Sequence, residues 1–378
     1  MRSLMVYTLM KAKLQLSTVL LVFLGPVLAC AANPLDVWYS RFTNGPTAFY
    51  SAAYGGGAYV AVGGSGAVAS STNGSQWTVT NLTTQVLNSV AFGAGKFVAV
   101  GYGGTALTSS NAVNWEDYSP GTNIYLQKIF WGNSRFVALG YTIAPAFNWS
   151  LVSTDGVTWS NYFIASNKPT GGLAFGGGLF VYPLAIGTNL LSADGISWWS
   201  QPTGMTNSLY MIGSGGNMFV AFDNHSYTFT SDDGTNWTFR GANSLLRPEG
   251  LAYGNGYWVA VSRGVNANYS ADLIHWTAVT NSQTVASGSC FGNGTFLTVS
   301  SFICQSAPLI VLQAMPGLPG TISLSGPAGV TYQIQTLDAF GQMDWLTVSN
   351  LTVTSTPCLW TDSDVTGHAQ KFYRVLLP

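Results

Sequence analysis

The residues best suited to chemistry in this chain are few, and they fall close together. Asp223, Asn224 and His225 are consecutive, Arg240, Arg247 and Glu249 follow, and Arg263 comes next. Guanidinium groups pair with a carboxylate ligand such as an acidic sugar. A carboxyl pair or a carboxyl–imidazole set can act as acid and base on a glycosidic bond. Asp223, His225 and Glu249 are therefore the candidate catalytic groups, and Arg240, Arg247 and Arg263 the candidate ligand contacts. Glu249 is one of two Glu in the chain, the other being Glu116. The competing reading is a solvated, salt-bridged rim, the ordinary state of exposed charges. A second candidate surface is aromatic. Tyr141 and Trp149 bracket the stretch YTIAPAFNW, with Tyr118, Tyr162 and Phe163 in adjoining segments. Flat rings stack on sugars, and they also simply pack a long loop.

Other chemistries lack their residues. The three His are scattered and no Cys or His pair has zinc-ligand spacing, so no metal is expected. Gly-rich stretches such as Gly101-Tyr-Gly-Gly104 lie between two strands, without the helix N-terminus that holds a phosphate. No G-x-S-x-G elbow occurs where a strand would enter a helix. No cofactor is expected.

The elements that position these residues repeat. Aligned on the aromatic that opens a strong strand, the copies fall at Tyr59, Phe97, Phe136, Phe180, Phe219, Trp258 and Phe296, at intervals of 38, 39, 44, 39, 39 and 38. Each copy has a short strand, a Gly-rich turn, the aromatic strand, a loop and a third strand. LNSVAFGAGKFVAVGYGGTALTSSNAVNW, residues 87 to 115, shows the pattern most fully. Seven units near 39 residues, each one supersecondary element, predict a seven-bladed β-propeller. Six copies end on a polar turn and a Trp: STNGSQW, SNAVNW (Ser110 to Trp115), STDGVTW, SADGISW, SDDGTNW and SADLIHW. The seventh Trp is Trp38, so the N-terminal strand is expected to complete the last blade and remove an open edge. In these turns Asp or Asn can accept backbone N–H groups, which makes Asp155, Asp194, Asp233 and Asp272 structural. Loops between second and third strands, and between blades, share one face; function is expected there.

Composition narrows the class further. Only 7% of residues are charged against 47% hydrophobic, so polar surface must come from Ser, Thr, Asn, Gln and Gly. After residue 31 ten basic residues face 14 acidic ones, which argues against nucleic acid as a partner. Residues 1–31 have a basic start, an apolar run from Leu14 to Leu28 and small residues at Ala29, Ala31 and Ala32. That is the layout of an export signal, too short and too broken by Pro26 for a membrane span. Val27-Leu28-Ala29-Cys30 also fits a lipoprotein box, with Cys30 as a possible lipid anchor. Cys290 and Cys304, in one repeat, form either a bridge or two buried apolar side chains.

The polar turn resembles the Asp-box (BNR-like) repeat of sialidase-like propellers, although with one residue fewer between Asp and Trp. The resemblance covers residues 36 to 308. It implies either an exported non-catalytic propeller that binds or scaffolds, for an oligosaccharide or a cell-surface protein, or a glycosidase similar to sialidases. The latter would need an arginine cluster on the sugar carboxylate, for which Arg135, Arg240, Arg247 and Arg263 are the available residues. The expected organisation is a signal at 1–31, the propeller at 32–308, a linker at 309–320 and a C-terminal β-sandwich at 321–378.

Overall fold

The computed structural model describes residues 18–21, 34–36, 38–43, 47–165, 172–184, 187–242, 248–262, 265–279, 287–306, 311–315, 320–325, 331–337, 345–354, 358–364 and 370–376. The chain divides into two units, Leu35–Ala307 and the remainder. Among the described residues there is no α-helix, only single 3₁₀ turns, and no helix long and apolar enough to cross a membrane.

The first unit holds seven four-stranded antiparallel sheets, a seven-bladed propeller. Blades one to six span residues 49–81, 87–117, 125–165, 174–202, 209–242 and 248–278. Blade seven combines Gly288–Gly292, Thr295–Val299 and Ile303–Ser306 with Trp38–Phe42, whose Trp38 pairs with Ser306 and Tyr39 with Gln305. In each blade the first strand lies innermost and packs beside the first strand of the next, blade seven against blade one included. The second strands are sandwiched between blades and so lose the polar alternation of a half-exposed strand. All six residues of Ala58–Gly63 are buried, as are all but the first of Lys96–Gly101.

A glycine and an aromatic ring make the contact between blades. The inner strands end on Gly55, Gly93, Gly132, Gly176, Gly215, Gly254 and Gly292. A Cβ on Gly55 would stand 2.1 Å from Phe92 of the next blade. On Gly93 it would be 2.1 Å from Trp131, on Gly132 2.4 Å from Phe175, on Gly215 2.4 Å from Tyr253 and on Gly254 2.1 Å from Phe291. The circle returns through Gly292, 2.0 Å from Tyr54. Each of these rings also packs on the aromatic that opens its own second strand, with centroids 4.6 Å (Tyr54–Tyr59) to 4.9 Å (Tyr253–Trp258) apart. Blade five departs from the rule: Ser214 replaces the ring and donates its hydroxyl to the Phe175 carbonyl, while Phe219 covers Gly176.

The polar turns are organised as their residue types demand. Ser153 Oγ accepts the Gly156 N–H at 2.8 Å, and Asp155 Oδ1 accepts those of Val157 and Thr158 at 2.8 and 2.9 Å. Ser71 with Asn73 repeats this in blade one, and Trp77 Nε1 closes the turn onto the Gly74 carbonyl at 2.9 Å. In blade two the working serine is Ser109, which meets Asn111; Ser110, taken from the sequence as the turn's first residue, is exposed. Neighbouring blades hold these turns: Thr108 Oγ1 donates to the Gly156 carbonyl and Ser150 Oγ to that of Gly195, both at 2.6 Å. Cys290 and Cys304 are free and buried, and burial pushes their thiols up to about 12 and about 11. Of the two readings, the apolar one therefore holds.

Arg41, in the strand beginning at Trp38, donates Nε to Gln305 Oε1 at 3.0 Å. Gln305 Nε2 reaches Thr295 Oγ1 at 3.1 Å, and Thr295 shares a 2.7 Å hydrogen bond with Tyr59 of blade one. This polar chain ties blade seven to blade one at their shared core.

The second unit contains two sheets. One orders Thr18–Leu21, Gln370–Leu376, Thr331–Leu337 and Leu346–Thr352; the other Val311–Ala314, Thr321–Ser325 and Cys358–Thr361. Ile322 and Leu324 from one and Tyr332, Ile334 and Tyr373 from the other share one buried cluster.

Two predictions follow from the contacts between blades and within the turns. Gly93→Ala should destabilise by about 3 kcal/mol through overpacking on Trp131. Gly95→Ala, at φ 73° with open space around it, should cost about 1 kcal/mol of backbone strain. Urea unfolding checks the pair, and equal losses would remove the glycine–ring contact as the controlling one. The turn carboxylates predict acid sensitivity. Backbone N–H groups of Thr158 and Val157 hold Asp155 below the usual carboxylate range, and the His275 ring with its backbone N–H does so for Asp272. At Asp194 and Asp233 burial, the largest single influence, pushes upward and is outweighed by the donors together. Folded pKa values below the unfolded ones stabilise fully above about pH 4, and that stability drains as pH falls through the folded values. Replacing all four Asp by Asn, the residue already present at positions 73 and 111, should flatten the fall in Tm below pH 4. An unchanged fall would refute the assignment.

Candidate functional site

The described residues among those flagged in the sequence do not form one cluster. Asp223 ends the second strand of blade five and is 0% exposed. Its Oδ1 accepts the His225 and Tyr227 N–H groups at 2.9 and 2.8 Å, and Oδ2 takes the Asn207 amide at 2.6 Å. The carboxylate thus orders its own loop, and the exposed His225 ring lies 3.7 Å from Oδ2. Arg240, expected near the connection to blade six, lies instead in the exposed outer strand Thr238–Ala242 and donates Nε to Thr230 Oγ1 at 2.8 Å. Arg135 turns to the opposite face, where Nη1 donates to the Asp194 carbonyl in a polar turn. Arg247 and Arg263 lie outside the described residues. The charged rim is therefore dispersed among its described members, because the outer strand and the second-to-third loop diverge from the axis.

The aromatic pair separates as well. Tyr141 stacks on Tyr125 at 5.8 Å, and Tyr125 meets Tyr102 edge-on at 5.0 Å. Trp149 belongs to another group, packed against Phe163, which is 53% exposed, at 6.0 Å. Tyr162 and Phe163 sit in the outer strand Ser160–Ala165 rather than in a connection.

Glu249 stands apart from the other candidates because it faces the propeller axis. A cavity of about 450 Å³ opens at the end where inner strands begin; it is lined by Tyr50, Asn88, Tyr102, Gln127, Tyr210 and Glu249 among others. A deeper cavity of about 330 Å³ continues from it, sharing Tyr50, Lys128, Met211, Glu249 and Ser287.

The rim residues are presented by a recurring backbone irregularity. Register slips in the inner strand at Phe49/Ser51, Leu87/Ser89, Leu126/Lys128, Leu209/Met211 and Pro248/Gly250. Each slip skips one residue: Tyr50, Asn88, Gln127, Tyr210 and Glu249. A bulge releases a residue from the ladder and re-aims its side chain, and all five line the mouth. One residue further along, the inner strands carry Ser51, Ser89, Lys128, Gly172, Met211, Gly250 and Gly288. Small residues here let the strands approach: Ser51 Oγ accepts the Val90 N–H and Ser89 Oγ that of Ile129, both at 3.2 Å. Lys128 and Met211 are the long side chains in this tier, and both line the cavity.

Burial lowers the pKa of Lys128, and the Glu249 carboxylate in the same cavity opposes that shift through space. Among the described residues, Lys128 Nζ makes no hydrogen bond or ion pair, whereas Glu249 has an interaction of its own. No group of three or more His, Cys, Asp or Glu among the described residues could hold a metal.

Lys128, Tyr50, Tyr102, Tyr210, Asn88 and Gln127 escaped sequence reasoning, yet a signal exists. Each mouth residue from an inner strand lies four positions before the residue that precedes the Gly turn: Tyr50 before Tyr54, Asn88 before Phe92, Gln127 before Trp131, Tyr210 before Ser214, Glu249 before Tyr253. Lys128 falls in the neighbouring column.

No protein-family model and no curated protein matches this chain. Solved structures match the fold. YCF48 bound to D1 peptide is 16% identical, with TM-score 0.56, over 76% of this chain and 99% of that one. Virginiamycin B lyase from Staphylococcus aureus is 11% identical, with TM-score 0.61, over 72% and 99%. The WD40 propeller domain of Doa1 is 13% identical, with TM-score 0.55, over 71% and 97%. None of these three is a sialidase; at such identities they show a β-propeller fold and nothing finer.

Proposed function

We propose that the protein is an exported, non-catalytic binding propeller that takes a small ligand of carbohydrate type into the mouth of its axial cavity. The observation that carries this reading is the ring of bulged residues, which puts tyrosine faces, amides and a carboxylate around a cavity of ligand size. Rings stack on the apolar faces of a sugar, and Asn88, Gln127 and Glu249 match its hydroxyl groups. Hydrolysis of sialidase type is supported less. Two carboxyl groups must flank a glycosidic bond, and Glu249 is the carboxylate lining the cavity among the described residues. The YCF48 neighbour, bound to a D1 peptide, favours a peptide as the competing occupant.

The remaining architecture fits that role. The pairing of Trp38–Phe42 with Ile303–Ser306 supports an N-terminal strand that closes the ring. The serine–aspartate–tryptophan turns support kinship with Asp-box repeats. The second unit reads as a β-sandwich for attachment, and the composition of residues 1–31 reads as an export signal, with Cys30 the alternative lipid anchor, even though Thr18–Leu21 pairs there with the strand Gln370–Leu376.

Calorimetric titration against neutral and acidic oligosaccharides and short peptides tests the assignment. Tyr102→Ala and Tyr210→Ala should each weaken saccharide binding about tenfold, the value of one lost stacking contact. Trp149→Ala, whose ring belongs to the other aromatic group, should bind as wild type does. Binding of peptides alone, or saccharide binding indifferent to Tyr102 and Tyr210, would overturn it.

A further inference from the structure

Lys128 has a cost that the fold leaves uncompensated. The six other blades carry Ser, Gly or Met at its position, and the strand Tyr125–Gly132 resumes its pairing at Lys128, opposite Leu139, after the slip at Gln127. Nothing in the ladder calls for an ammonium group. Lys128 is half-buried and lines the axial cavity, where desolvation disfavours its charge. Glu249, which has an interaction of its own, acts on Lys128 through space. Next to Lys128, Gly172 leaves the wall without a side chain, and the space opens to the mouth cavity. Ser289 Oγ, a hydroxyl in the deeper wall, also has no hydrogen-bond partner among the described residues. The axis thus presents a half-buried cation and a spare hydroxyl below a rim of tyrosines and amides.

We infer that the axial cavity is a receptor for a small hydroxylated carboxylate, whose carboxylate pairs with the Lys128 ammonium while its hydroxyl groups meet Asn88, Gln127 and Glu249. This deepens the reading of the axial cavity as the ligand site and rests on it. Charge-assisted hydrogen bonds in a desolvated site are the strong ones, so Lys128 sets affinity and selects acid over neutral ligand. The carboxylate comes either from a uronic sugar or from an open-chain hydroxy acid of similar size.

Calorimetry with galacturonate, galactose and gluconate on the full chain separates the possibilities. Galacturonate should bind at least tenfold more tightly than galactose, and Lys128→Met, close in volume, should bring the two within about threefold of each other. The Tm of unliganded Lys128→Met should equal or exceed that of wild type, because a half-buried charge without an ion-pair partner is removed; this also shows that the variant is folded. Gluconate binding without galacturonate would uphold the carboxylate receptor and remove the carbohydrate reading. Equal binding of galactose and galacturonate would keep the carbohydrate reading and overturn this one. Undiminished acid preference in Lys128→Met would overturn it too, and no binding of any probe would overturn both.

Discussion

The contact on which the propeller depends is a ring pressed onto a glycine. At six of the seven joints an aromatic side chain of one inner strand occupies the space that a Cβ would fill on the preceding blade. That contact buries the ring at once and fixes how closely the strands approach. It is directional, each blade giving its ring to one neighbour and its glycine to the other, and Gly292 with Tyr54 carries it across the point where the repeats end. The joint between blades four and five uses a serine hydrogen bond and the ring of Phe219 instead, so the rule admits a polar substitute.

Close approach at one end of the inner strands sets the conditions at the other. Beyond the glycines the strands remain near enough for Ser51 and Ser89 to bond across blades. The bulges then let the strands part around a cavity. Lys128 occupies the transition, where space is still narrow and water already scarce. Its lowered pKa is the electrostatic record of that position.

Much of this architecture was legible in the sequence, and for physical reasons. Aromatic spacing near 39 residues counted seven blades because every blade needs a ring at the start of its second strand. The polar turns read as structural because Asp155 and Asn73 meet the same two N–H groups. Grouping charge by proximity in sequence does not follow the fold. Arg240 and Asp223 are near Glu249 along the chain, yet one lies on an outer strand and the other inside a loop, whereas Lys128 sits 121 residues from Glu249 and shares its cavity. In a ring of repeats, the residues that meet occupy the same or adjacent columns of different copies.

The bulges also separate what the protein must keep from what it can change. A residue outside the ladder lies apart from the ring, glycine and turn contacts, although Asn88 also donates Nδ2 to the Leu126 carbonyl of the next blade at 2.7 Å. Tyr50, Asn88, Gln127, Tyr210 and Glu249 already differ widely in size, polarity and charge on nearly identical backbones. The mouth is thus a combinatorial wheel, with an exchangeable spoke on five of its seven blades. Single substitutions there can redirect recognition at little cost in stability, and that makes the fold readily evolvable.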